Sequence, residues 1–192
     1  MERSFYALIS RMRYITRWGL MRNSASENVQ EHSHMVAVIA HALALIRRDV
    51  FGGECDPNEA AALALYHDAT EILTGDLPTP IKYHDGEINR AYKAVEALAS
   101  ERLLRLLPES LRGAYEPLLR GGEGLSRSFV KAADKIAAYI KCIEEKKAGS
   151  DEFLAAERQT LQAIHDMEME EAEYFIREFI PAFELSLDEL EN

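Results

Sequence analysis

The sequence of 192 residues is poor in cysteine and in long apolar runs, and each shortage argues against a class of protein. Cys55 and Cys142 are the only cysteines, and their separation fits neither a zinc site nor a redox motif, so a reducing cytoplasm is expected. The longest apolar stretch, residues 35–46, is interrupted by His41 and falls far short of the ~20 residues that span a membrane. No uninterrupted apolar segment resembling a secretory signal is visible. These features predict a soluble protein.

Positive charge is also scarce. Lys and Arg together number 22 against 33 Asp and Glu, which gives a formal net charge of -11. Such a surface repels the phosphate backbone of nucleic acids and disfavours a general DNA- or RNA-binding role. An anionic substrate would therefore have to be attracted by a local group of positive charges.

Aromatic residues make up only 8% of the chain, whereas Ala and Leu are plentiful and 47% of the residues are hydrophobic. This balance favours helices over a β-sandwich and suffices for one sizeable core. No repeat, low-complexity tract or change of composition divides the sequence. We therefore predict an all-α protein with a single domain over residues 1–192.

Apolar periodicity and helix-stop residues define the predicted elements. A first helix carries an apolar stripe that includes Phe5 and Met12, and an irregular stretch covers residues 16–28. Gly75 and two prolines predict a rigid, non-helical loop over residues 74–80. Further helices are predicted at about residues 29–48, 57–73, 86–107, 129–147 and 151–179, with a shorter one after Pro108.

His67 and Asp68 stand side by side in the apolar run of residues 63–71. Burying an imidazole and a carboxylate there is costly unless a partner satisfies them, and a divalent cation would satisfy both. An ordinary buried hydrogen bond is the alternative.

Two further residues could complete a metal site. His32 shares a helical stripe with Val36 and Leu43, so its ring is predicted to point inward. Asp134 is flanked by small and apolar residues and needs a partner, although a lysine one turn away could pair with it at the surface.

In chain order, Glu31-His32-Ser33, His67-Asp68 and Lys131-Ala132-Ala133-Asp134 resemble the His, His-Asp, Asp signature of the HD superfamily of metal-dependent phosphohydrolases. Over nearly its whole length the chain further resembles the bacterial 5'-deoxynucleotidases of that superfamily. The segments that carry this closer resemblance are residues 15–18, 20–23, 27–29 and 66–71, and most specifically 75–82.

The resemblance implies an HD-type helical bundle and a homodimer that hydrolyses deoxyribonucleoside 5'-monophosphates to deoxyribonucleosides and phosphate, selectively against ribonucleotides. It implies a divalent ion held by His32, His67, Asp68 and Asp134. Two imidazoles and two carboxylates suit a transition ion such as Mn, Co or Zn better than Ca. Superfamily members that bind two ions usually have further histidines between the His-Asp pair and the last Asp. Here His84 is the only histidine in that interval, so one ion is expected.

The resemblance also gives roles to residues outside the ligand set. Glu71 would act as a general acid or base, since a continuous helix would bring it to the same face as His67. Arg17 would orient the phosphate and Trp18 would border the deoxyribose. Asp76 would bind the 3'-hydroxyl. The implied substrate-binding residues are Arg17, Trp18, His32, Asp68, Asp76, Leu77, Pro78, Thr79 and Asp134.

Spacing alone leaves other interpretations open. Glu71 could be a surface glutamate, Trp18 a half-buried packing residue, and the loop after Thr74 a simple connection. Two other functions also remain: a different HD phosphohydrolase that acts on cyclic nucleotides or alarmones, and a non-catalytic nucleotide-binding HD module.

Overall fold

The computed structural model describes residues 3–78 and 86–191, and in these ranges every regular element is helical apart from an isolated bridge between Thr16 and Asn28. The helices are α1 (Phe5–Ile9), α2 (Val29–Leu45), α3 (Pro57–Tyr66), α4 (Glu71–Thr74), α5 (Gly86–Arg105), α6 (Glu109–Leu119), α7 (Gly124–Lys147), α8 (Leu154–His165), α9 (Glu170–Phe179) and α10 (Leu187–Leu190). Short 3₁₀ turns cover Ser10–Tyr14, Asp151–Phe153 and Ile180–Glu184, and a π-helical turn at Ile46–Val50 continues α2. The all-α prediction is confirmed.

Helices α2, α3 and α7 pack against one another at the centre of the molecule, and α8 and α9 cover α7. Their apolar faces bury Val36, Leu43, Ala64, Phe129 and Ile136. Burial of a side chain such as Leu or Phe contributes about 1.5–3 kcal/mol, so this packing fixes the three helices relative to one another. None of the described helices combines the length and apolarity needed to cross a bilayer.

A second, smaller apolar cluster lies near the start of the chain. It includes Phe5, Met12, Val29, Leu103 and Leu107, which are all buried. Because Met12 and Val29 lie on either side of residues 16–28, the cluster holds both ends of that irregular segment.

The start of α2 is fixed by a capping box. The Asn28 side chain accepts hydrogen bonds from the backbone N–H groups of Gln30 and Glu31, and the Glu31 carboxylate accepts from the N–H of Asn28. Two backbone donors at the helix start are thereby satisfied in addition to the N–H of Asn28 itself. The cap sets the rotational phase of α2 and therefore the direction of His32, which is buried as predicted.

Two predicted helices are interrupted in the structure. The helix expected over residues 57–73 ends at Tyr66, and α4 begins at Glu71 after a tight turn. The long helix expected over residues 151–179 is divided between α8 and α9 near Glu168, whose φ of 49° lies in the left-handed region. Apolar periodicity continues across both breaks, which is why the sequence did not reveal them.

Candidate active site

The predicted metal ligands come from three elements that are distant in sequence and adjacent in the fold. His32 lies near the start of α2, His67 and Asp68 follow α3, and Asp134 lies in α7. One possible ligand atom from each of His32, His67 and Asp68 lies within 4.8 Å of the others. His32 Nε2 is also 2.9 Å from Asp134 Oδ1. The structure therefore brings all four side chains together.

The turn after α3 explains how two consecutive residues reach one point. Adjacent residues of a continuous α-helix diverge by about 100°. Here the chain tightens, with backbone hydrogen bonds from Ala69 N–H to Tyr66 O (3.0 Å) and from Glu71 N–H to Asp68 O (3.0 Å). His67 Nε2 consequently lies only 3.1 Å from Asp68 Oδ2.

The orientation of the His67 ring suits metal binding. Its Nδ1 donates a hydrogen bond to the Ala64 carbonyl, at 2.7 Å, which leaves Nε2 directed toward the cluster. Nε2 is buried and makes no well-aligned hydrogen bond to any described residue. A histidine whose distal nitrogen is held by a backbone carbonyl is the usual arrangement around a bound metal ion.

The charges of the cluster stabilise one another. Burial alone would lower the pKa of His67 and raise that of Asp68, but the attraction between the two groups outweighs it and shifts both in the opposite directions. Burial would likewise raise the pKa of Asp134, yet the His32 hydrogen bond lowers it. The charge on the His67 imidazole thus compensates the neighbouring carboxylates, and a divalent cation would take its place.

The chemistry of these side chains fits a divalent transition ion, and so does His67 Nε2, which is buried without a well-aligned hydrogen bond. Imidazole nitrogens favour such ions, whereas Ca²⁺ and Mg²⁺ favour sites made of oxygen alone. In the described parts of the chain, His32, His67 and Asp68 form a group of potential ligands whose atoms all lie within 4.8 Å of one another. Asp134 Oδ1 lies next to this group, 2.9 Å from His32 Nε2.

Glu71 is the first residue of α4 and is buried, with only 4% of its surface exposed. This burial argues against the surface-glutamate interpretation. The Glu71 N–H is bonded to the Asp68 carbonyl, so the backbone fixes Glu71 directly to the ligand turn. A carboxyl group in such a buried position is suited to exchanging a proton inside the site.

Arg17 adds a positive charge next to the ligand cluster. Its side chain is 12% exposed, and Nη1 lies 3.5 Å from Asp68 Oδ2. Burial would lower the pKa of Arg17, but the surrounding carboxylates, Asp68 foremost, raise it. The chain, although net negative, therefore holds a fixed guanidinium beside the candidate metal ligands.

Trp18 follows Arg17 in an uncommon backbone conformation. Its φ of 58° lies in the left-handed region, which bulky side chains rarely adopt. The Trp18 carbonyl accepts hydrogen bonds from the Met21 N–H and the Asn23 amide, and the indole contacts the Phe153 ring at a centroid distance of 5.3 Å. Strain of this kind, held by its surroundings, is commonly found at binding sites.

Residues 16–28 are held from the other side by a buried ion pair on α7. The Glu145 carboxylate accepts hydrogen bonds from the backbone N–H groups of Ser24 (2.7 Å) and Ala25 (3.2 Å) and from Lys141. Lys141 also donates to the Ala25 carbonyl at 2.6 Å. This clamp could not be predicted from the sequence, because a Lys and a Glu spaced by four residues are typical of an exposed helix face.

The loop after α4 lies near Arg17. Gly75 has a φ of 74°, a conformation that favours glycine and ends α4. Asp76, Leu77 and Pro78 are half-buried, and Asp76 is among the carboxylates that raise the Arg17 pKa. Thr79, the last of the implied substrate-binding residues in this loop, lies outside the described residues.

Comparison with protein families and known proteins gives a consistent result. The family described as 5'-deoxynucleotidase YfbR-like matches residues 4–183. A 5'-deoxynucleotidase of Vibrio cholerae is 48% identical over 191 residues and is covered over 98% of its length, with 98% of this chain aligned. One from Erwinia tasmaniensis is 47% identical over 188 residues, which span 97% of this chain and 95% of the relative.

Solved structures with lower sequence identity share the fold. An HD-domain phosphohydrolase from Listeria innocua superimposes with a TM-score of 0.81 at 23% identity, covering 98% of this chain and 91% of its own. An HD phosphohydrolase of cyanophage S-2L, bound to dA and one catalytic Zn²⁺ ion, has a TM-score of 0.67 at 19% identity, covering 91% of this chain and 95% of its own. The helical arrangement is therefore that of the HD-domain phosphohydrolases.

Proposed function

The chain belongs to the YfbR-like 5'-deoxynucleotidase family and is a phosphomonoester hydrolase, and we propose that it hydrolyses deoxyribonucleoside 5'-monophosphates in a metal-dependent reaction that discriminates against ribonucleotides. The observation that carries the proposal is the convergence of His32, His67, Asp68 and Asp134 beside Arg17. The four side chains can hold a cation, and the guanidinium can hold the phosphate.

His32, His67, Asp68 and Asp134 would hold one divalent ion, of the Mn, Co or Zn type. Such an ion, when bound, would polarise a phosphoryl oxygen and lower the pKa of a water molecule, which supplies a nucleophile near neutral pH. A Zn²⁺ ion and dA are bound together by the cyanophage phosphohydrolase, which has the same fold. That precedent supports a nucleoside-sized site next to a metal in this chain.

The remaining chemistry can be carried by two residues of this chain. Arg17 neutralises the phosphate and orients it, because a guanidinium can contact two phosphate oxygens at once. Glu71 accepts a proton from the attacking water or returns one to the leaving 5'-oxygen. The water oxygen bonds to phosphorus, the bond from phosphorus to the 5'-oxygen breaks, and the products are a deoxyribonucleoside and inorganic phosphate.

Discrimination between deoxyribose and ribose would depend on two groups of residues beside Arg17: Trp18 and the loop that begins at Asp76. Trp18 would cover the deoxyribose on one side, and residues 76–78 would approach it on the other, with Asp76 accepting a hydrogen bond from the 3'-hydroxyl. A backbone held rigid by Pro78 can exclude a 2'-hydroxyl by shape. The half-buried position of Asp76 near the positive charge of Arg17 supports this arrangement.

The decisive experiment measures phosphate release after the protein has been freed of metal with a chelator. Deoxyadenosine 5'-monophosphate, adenosine 5'-monophosphate and cyclic AMP are compared, with Mn²⁺, Co²⁺ or Zn²⁺ added back singly. Turnover of the deoxynucleotide that requires added metal and greatly exceeds turnover of the ribonucleotide is expected. Hydrolysis of cyclic AMP alone, or no turnover with any metal, would contradict the proposal.

A homodimer, implied by the resemblance, and a cytoplasmic location, expected from the spacing of the two cysteines, stay predictions. Among the described residues, Leu20, Val38 and Leu98 are large apolar side chains that are at least half exposed, as residues at a subunit contact would be in an isolated chain. Light scattering coupled to gel filtration would give the oligomeric state, and a monomer at micromolar concentration would count against the dimer.

A further inference from the structure

We propose that Glu27 is a positioning residue that holds Arg17 and Trp18 in their substrate-binding orientations, an inference that rests on the proposed function. Glu27 lies directly before Asn28, the N-cap of α2. Its side chain is 17% exposed and lies between the two proposed substrate-binding residues and His32. None of the roles derived above uses it.

One carboxylate oxygen of Glu27 accepts hydrogen bonds from both residues. Its Oε2 lies 3.1 Å from Arg17 Nε and 2.9 Å from Trp18 Nε1. Its Oε1 faces His32, at 3.9 Å from Nδ1. A single carboxylate thus links the proposed phosphate-binding group, the proposed sugar-binding group and a proposed metal ligand.

The backbone is held separately from the side chain. The Arg17 N–H donates to the Glu27 carbonyl at 3.0 Å, and the Val29 N–H donates to the Ile15 carbonyl at 2.9 Å. These bonds and the capping box do not involve the Glu27 side chain, so they should remain when it is replaced. Loss of the carboxylate should therefore redirect the side chains of Arg17 and Trp18 without changing the path of the chain.

The consequence for Arg17 follows from competing attractions. Its guanidinium is held at Nε by Glu27, while Nη1 lies 3.5 Å from Asp68. Without Glu27 the guanidinium loses its hydrogen bond at Nε, and Asp68, the nearest remaining carboxylate partner, draws it toward a proposed metal ligand. Arg17 would then meet the phosphate less readily, and Trp18 would lose the hydrogen bond that its indole N–H donates to Glu27.

Glu27→Ala and Glu27→Gln test this role in the metal-loaded protein. Gln keeps an oxygen that can accept from Trp18 and Arg17, whereas Ala keeps none. Glu152→Gln is the matched control. Glu152 also pairs with an arginine of residues 16–28, but that arginine, Arg22, is exposed. Each variant is measured for metal content, for melting temperature, and for kcat and KM with deoxyadenosine 5'-monophosphate.

Trp18 supplies a further readout that does not depend on turnover, since it is the only tryptophan in the chain. The E27A variant is expected to shift the emission of Trp18 and to raise KM by about tenfold to a hundredfold, the usual effect of losing a hydrogen bond to a charged group. Metal content should be unchanged and kcat little altered. E27Q should restore the emission and much of the affinity, and E152Q should match the wild type.

The outcomes separate this inference from the function on which it rests. A wild-type protein that neither binds nor hydrolyses the deoxynucleotide would refute the proposed function and this inference with it. An active wild type with unchanged KM and Trp18 emission in E27A would refute only the positioning role. Loss of metal or of thermal stability in E27A, without rescue by E27Q, would show a structural role instead.

Discussion

The two halves of the candidate site are built in different ways. The ligand cluster of His32, His67, Asp68 and Asp134 is carried by helices or by the turn that ends one, and those helices share the main apolar core. Residues 16–28, which carry Arg17 and Trp18, have no helix and are held by hydrogen bonds to Glu27, Lys141 and Glu145. One half depends on packing, the other on individual polar contacts.

This difference predicts how each half responds to substitution. Helix packing fixes the ligand atoms through many small contacts, so losing one ligand should remove the metal and leave the fold in place. The irregular segment has no helix to order it, so individual hydrogen bonds contribute a larger share of its order. Variants there should change affinity and selectivity before they change metal content.

The largest expected effect comes from breaking the ligand cluster. His32→Ala removes a proposed ligand and the hydrogen bond to Asp134, so bound metal and phosphate release should both fall to background. His34→Ala is the control, since His34 lies on the same helix and is exposed. Metal analysis together with the phosphate assay checks the prediction. Retention of turnover by H32A would remove His32 from the site.

Glu71→Gln tests the proton-transfer role while leaving the proposed ligands intact. It should lower kcat by about 10²- to 10⁴-fold, the usual contribution of a general acid or base. Metal content and KM should stay near the wild-type values, because Gln fills nearly the same volume. Equal losses of metal and activity would instead make Glu71 part of the cation site.

Arg17→Lys tests the half of the site that is formed by residues 16–28. Lysine keeps the positive charge but loses the planar fork, so kcat/KM should fall about tenfold to a hundredfold while bound metal is retained. Arg22→Lys is the matched control, because Arg22 lies in the same segment with a side chain 95% exposed. Identical kinetics for R17K and R22K would argue against phosphate binding by Arg17.

The smallest effect on turnover is expected from the clamp, which should act on stability at acid pH. Burial would raise the pKa of Glu145, but Lys141 and the N–H groups of Ser24 and Ala25 lower it from 4.5 to about 2. The stabilisation is therefore complete above about pH 4.5 and is lost as the pH falls toward 2.

Urea unfolding between pH 2 and 6 checks the prediction for the clamp. Glu145→Gln should be less stable at neutral pH, by an amount on the order of a few kcal/mol, and should lose less stability on acidification. Other carboxylates titrate in the same range, so the difference from wild type is the quantity to compare. Glu54→Gln, at an exposed loop position, should follow the wild-type curve. Parallel curves for E145Q and wild type would contradict the clamp.

Much of the helical organisation could be predicted from local patterns. The inward direction of His32 followed from its stripe with Val36 and Leu43, and all three residues are buried. The irregular character of residues 16–28 was also predicted correctly. The break after Tyr66 was not, because the apolar pattern continues through it while the hydrogen bonds tighten.

The clamp shows a second limit of local reasoning. On α7, Lys141 and Glu145 resemble a solvent-exposed pair one turn apart, yet both are buried. Their burial depends on residues 24–25 packing over them from more than a hundred positions away in the chain. A pattern within one helix carries no information about which distant segment will cover it.

The sequence by itself determined the chemistry that is available: two imidazoles, several carboxylates and an arginine in an order typical of one enzyme family. Side-chain type and helical phase are local properties, so they can be inferred from neighbouring residues. Only the tertiary structure placed His32 against Asp134, 102 positions further along the chain, and gathered Arg17, Trp18 and His32 around Glu27. Those contacts depend on how α2, α3 and α7 pack, which is a property of the whole core.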